Sequence, residues 1–95
     1  MDKITNEKLD RYFTITNKAL KKVKIVKTGE IDFEKAAKDF LDMAQRYYDD
    51  AKHFRDKKDY INAFACINYA HGWLDAGARI GLFDVDHDSE LFTVD

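Results

Sequence analysis

Phe33-Glu34-Lys35-Ala36-Ala37-Lys38-Asp39-Phe40-Leu41-Asp42-Met43-Ala44-Gln45-Arg46-Tyr47-Tyr48-Asp49-Asp50-Ala51-Lys52-His53-Phe54 decides the fold class. Its apolar members, Phe33, Ala36, Ala37, Phe40, Leu41, Ala44, Tyr47, Ala51 and Phe54, keep a period near 3.6 for six turns, which only an α-helix places on one face. Lys35, Lys38, Asp39, Asp42, Gln45, Arg46, Asp49 and Lys52 fill the other face with mixed charge, as on a solvated helix. Asp32 stands where an N-cap is needed, because its carboxylate can accept from free first-turn amides. Ile31 before it could pack on Ala36 as a hydrophobic staple. The spacing predicts a helix over 33–56.

Downstream, Arg55-Asp56-Lys57-Lys58-Asp59 is too polar for a core and reads as a tight turn, with Asp59 capping a further helix over 60–82. So short a connection makes the two helices antiparallel neighbours. Upstream, Leu9, Tyr12, Phe13, Thr16, Leu20, Val23 and Val26 recur at three- and four-residue steps and predict a first helix over 7–27, capped by Thr5 or Asn6. Thr28-Gly29-Glu30 stops it. The chain holds no proline, and Gly29 is its only glycine before Gly72, so a β-rich fold with frequent turns is excluded. The expected architecture is all-α: an up-down-up bundle of three long helices over residues 1–83, followed by an acidic tail over 84–95.

Ninety-five residues suit one small domain. Hydrophobic residues at 45%, charged residues at 36% and a net charge of −2 match a soluble globular chain and not a disordered one. No apolar run approaches the roughly 20 residues of a membrane span, and Met1-Asp2-Lys3-Ile4-Thr5-Asn6 lacks a secretory core, so no membrane role is expected. Cys66 is the single cysteine and cannot pair within the chain, which points to a reducing cytoplasm.

The third helix is the unusual one. Its polar stripe is narrow (Asn68, Gly72, Asp75 and Arg79), and nearly everything else from Tyr60 to Ile80 is apolar. A helix apolar around most of its circumference should be the most buried. Asp75 and Arg79 have the order of a surface ion pair. Gly72 and Gly77 cost about 1 kcal/mol each relative to alanine inside a helix, so close packing should explain them. Tyr69, Trp73, Gly77 and Ile80 are therefore the candidate contact surface of a self-association or partner site, where aromatic anchors are typical.

Tyr47, Ala51, Phe54, Ala63, Ile67 and Ala70 have the offsets of one tetratricopeptide-type hairpin. No second copy follows about 34 residues away, so this is a single hairpin and not a repeat array. The stretch Leu41–Phe54, then Asp59-Tyr60 and Ala63-Phe64, then Ile67-Asn68-Tyr69-Ala70-His71-Gly72-Trp73-Leu74-Asp75-Ala76, resembles an archaeal family of small helical proteins, the domain of unknown function 357. The resemblance covers residues 41–83 by motif and 5–40 by helix layout. It implies an archaeal, cytoplasmic, all-helical domain of three long helices, and no catalytic residue, cofactor or substrate.

Chemistry-bearing patterns are sparse. Asp84, Asp86 and Asp88 alternate like calcium-loop ligands, but Ser89 occupies the turn glycine position and Asp95 the place of the bidentate glutamate, so a solvated acidic tail is expected. Leu91, Phe92 and Val94 could fold that tail back on the helices. Cys66, His53, His71 and His87 lack zinc-ligand spacing, so no metal is predicted. His71 and Cys66 read as structural residues, Cys66 as a small buried hydrophobe. No phosphate loop or nucleophile elbow occurs, and no cofactor is expected. Arg46 and His53, seven apart on one helix face, have the Arg-x6-His spacing of HEPN-type ribonucleases, in which histidine handles the proton and arginine the phosphate. Lys18, Lys21, Lys22, Lys24 and Lys27 form a cationic cluster without an intervening acid, yet they spread around the helix and the net charge is negative. The expectation is a non-enzymatic interaction module that binds itself or another cytoplasmic protein. An RNA-binding or RNA-processing domain using Arg46 and His53, or the lysine cluster, is the alternative.

Overall fold

Side-chain oxygens just ahead of each apolar stripe set where the helices begin. In a computed structural model that describes residues 4–93, three helices follow one another, and the described residues contain no strand. They are α1 (Asn6–Lys22), α2 (Phe33–Asp56) and α3 (Tyr60–Arg79), the all-α, three-helix class that the periodicity predicts. Thr5 Oγ1 accepts the Lys8 amide at 3.1 Å, Asp32 Oδ1 the Lys35 amide at 3.1 Å and Asp59 Oδ1 the Asn62 amide at 3.2 Å. Each bond satisfies a donor that the first turn leaves without a helical partner.

The chain divides into two units, Met1–Glu30 and Ile31–Asp95. In the first, α1 stops at Lys22, five residues short of the predicted Lys27. Val23 is already extended (φ −66°, ψ 143°), although its amide still reaches the Ala19 carbonyl. Two effects end the helix early. Val23, Ile25 and Val26 are β-branched and lose side-chain freedom in a helix, and Lys18, Lys21 and Lys22 repel one another at three- and four-residue spacing. Lys24 and Lys27 thus lie beyond the helix, and the cationic cluster is not a helical feature throughout. Within its own unit α1 buries no side chain.

The second unit is an antiparallel hairpin of α2 and α3. Phe40 meets Trp73 and Tyr47 meets Tyr69, so partner numbers fall on one helix as they rise on the other. Ala44, Ala51 and Ala70 form the seam, with Ala44 and Ala70 only 4% exposed. Small seam residues let the two backbones approach, and larger side chains then splay to either flank. Both helices end in the same hydrogen-bond pattern. Asp59 N–H bonds the Phe54 carbonyl and Lys58 N–H the Arg55 carbonyl after α2. Leu82 N–H bonds the Gly77 carbonyl and Gly81 N–H the Ala78 carbonyl after α3. This Schellman arrangement needs a left-handed residue, supplied by Gly81 (φ 83°) in one case and by Lys58 (φ 63°) in the other. It also ends α3 at Arg79, three residues before the predicted Leu82.

The third helix is the most covered of the three, as its composition predicts, but only in part. It is not sheathed, because within its unit it has one neighbouring helix and one contact stripe. Tyr60, Phe64, Ile67, Tyr69 and Ile80 stay exposed, Phe64 at 68%. Ile31 is exposed as well, so the predicted staple on Ala36 leaves it uncovered.

Candidate interaction surface

The seam gives the hairpin two unlike flanks. On one, four aromatic rings interlock edge to face: Phe40 on Trp73 (4.9 Å, 88°), Tyr47 on Tyr69 (4.4 Å, 80°) and Tyr69 on Trp73 (6.4 Å, 87°). That geometry sets positive ring edges on negative ring faces. Phe40, Tyr69, Gly72, Trp73 and Ala76 line a shallow cleft of about 290 Å³ on this flank.

Of the four residues singled out in the sequence, Tyr69 and Trp73 share this cleft. Tyr69 is 53% exposed while Trp73 is half-buried. Ile80 caps α3 and is also exposed. Gly77 is buried instead, beneath a ring of its own chain. A Cβ at Gly77 would stand 2.6 Å from Cδ2 of Phe83, closer than carbon atoms can approach. The close approach foreseen at Gly77 is therefore made by Phe83. At Gly72 an added Cβ would meet nothing within 4 Å among the described residues, so none of them accounts for that glycine by close packing.

The other flank carries a larger feature that the sequence reading missed. Leu41, Ala44, Tyr48, Ile67, Ala70 and Leu74 line a cleft of about 530 Å³, rimmed by Gln45, Asn68 and His71. A second cleft of about 280 Å³ shares Tyr48 and Ile67 with it and runs on past Tyr60, Phe64, Lys52 and Arg55. Together they make one groove along the hairpin. The signal that could have revealed it is a pair of seven-residue steps, Leu41–Tyr48–Arg55 on α2 and Tyr60–Ile67–Leu74 on α3. Seven residues are close to two helical turns, so each triplet falls on one line. Lys52 Nζ leans over the Tyr48 ring at 5.4 Å.

At the open end of the hairpin the C-terminal segment returns to α3. Asp75 accepts the Thr93 amide at 3.0 Å and the Thr93 hydroxyl at 3.3 Å, and His71 Nε2 lies 3.6 Å from the same carboxylate. Phe92 stacks on the His71 ring (6.2 Å, 21°). Asp75 is thus committed to the tail, and the ion pair expected with Arg79 is not formed. The predicted fold-back is made by Phe92 and Thr93, Leu91 stays exposed, and Val94 lies outside the described residues. The acidic residues shape their own turns: Asp84 Oδ1 accepts the Asp86 amide, and Asp88 Oδ1 accepts those of Glu90 and Leu91.

Arg46 and His53 sit two turns apart on the solvated face of α2. Arg46 Nε bonds Asp42 Oδ2 at 2.9 Å with its side chain 73% exposed, and His53 rests edge-on against Phe54 at 5.9 Å. Neither lines the clefts described above. Cys66 is half-buried on α3. Burial pushes its thiol pKa up, and the carboxylates of Asp50 and Asp59 push it further by disfavouring a thiolate.

No helix among the described residues is long and apolar enough to cross a membrane. The family model described as Protein of unknown function (DUF357) matches residues 11–83, which takes in most of α1 and all of the hairpin. No curated protein and no solved structure matches the chain.

Proposed function

Since the chain belongs to the DUF357 family, whose description names no activity, we propose from the geometry that it is a non-enzymatic protein–protein interaction module of the cytoplasm, receiving a helical apolar stripe on its α2–α3 hairpin. One observation carries this reading. The hairpin buries alanine-sized side chains and leaves Leu41, Tyr48, Phe64, Ile67, Tyr69 and Ile80 uncovered on its flanks. Contiguous apolar grooves with polar rims characterise protein-binding surfaces, and a groove between two helices fits a third helix presenting residues at three- and four-residue spacing. Tyr69 and Trp73 would act as aromatic anchors on one flank, and Ile67 and Tyr48 would floor the groove on the other. Gly77 contributes by seating Phe83.

The test is a photo-crosslinking residue placed at position 64 or position 69 of the full chain, irradiated in cells that make the protein at its natural level. A covalent adduct with a protein, from either position, is the expected result. Adducts from neither position would remove the reading.

A further inference from the structure

We draw no further inference here: the strongest candidate, the apolar groove along the α2–α3 hairpin from Leu41 to Leu74, belongs to the surface already described, and nothing in the structure shows what covers it.

Discussion

Asp75 on α3 holds Thr93, eighteen residues further along the chain, through both the backbone amide (3.0 Å) and the hydroxyl (3.3 Å) of the threonine. With the Phe92 ring stacked on His71 one turn earlier on α3, these bonds close the C-terminal segment over the open end of the hairpin. A tail rich in acids would otherwise be repelled by Asp75. The carboxylate instead meets donors, the Thr93 amide and hydroxyl, with the His71 ring nitrogen beside it.

Asp75→Ala should therefore release the tail without unfolding the hairpin. The Thr93 amide should exchange with deuterium at least tenfold faster, because a released segment opens locally. Stability should fall by about 0.5–1.5 kcal/mol, the usual net worth of an intramolecular hydrogen bond. Unchanged exchange at Thr93 would show that Phe92 alone secures the segment.

The Phe83 ring occupies the space that a side chain at Gly77 would need. Gly77→Ala should cost about 1–3 kcal/mol, the range for overpacking, since the new methyl group would overlap the Phe83 ring. Combining it with Phe83→Ala should remove most of that extra cost, giving a clearly non-additive cycle in urea denaturation. Additive losses would mean that the ring can step aside.

Lys58 occupies a left-handed position (φ 63°) that glycine adopts without strain. Lys58→Gly should leave the Schellman bonds intact and raise stability by about 0.5–1 kcal/mol, set by relief of the side-chain penalty. Gly81→Ala, at φ 83° after α3, should lower stability by about 1 kcal/mol. Thermal melts of the two variants should move in opposite directions.

Cys66 should be a slow thiol. Its pKa is raised by burial and by Asp50 and Asp59, so the thiolate is scarcer at neutral pH than in an unfolded chain. Alkylation of the folded protein should show a pH profile displaced upward from that of the denatured protein. Because the folded state binds the thiol proton more tightly, Cys66 favours folding fully below its unfolded pKa. That contribution is lost as pH rises through the folded value. In Cys66→Ser the alkaline loss of stability should be smaller, measurable by denaturation at pH 8 and at pH 10.

Local chemistry was legible in the residues themselves. Thr5, Asp32 and Asp59 are capping side chains wherever they precede an apolar stripe, because the bond each makes reaches only three residues ahead. The 3.6 period of α2 and the short 57–59 connection determined a helical hairpin, since no other backbone geometry puts those apolar residues on one face. The all-α class followed from the same pattern. Tertiary structure decided what depends on distant partners or on small energy differences. The stop of α1 at Lys22 balances propensity against charge repulsion over a few residues, and an apolar stripe continuing to Val26 concealed it. Asp75 looked like a partner for Arg79 four residues on, but a donor eighteen residues away took its place. Gly77 announced a close approach without saying whose, and Phe83 made it. The apolar breadth of α3 predicted that it would be the most buried helix, and it is, but a two-helix unit has one seam and alanines fill it. The large side chains beside that seam are consequently left to face outward, a result of how two cylinders pack that no count of hydrophobic residues contains.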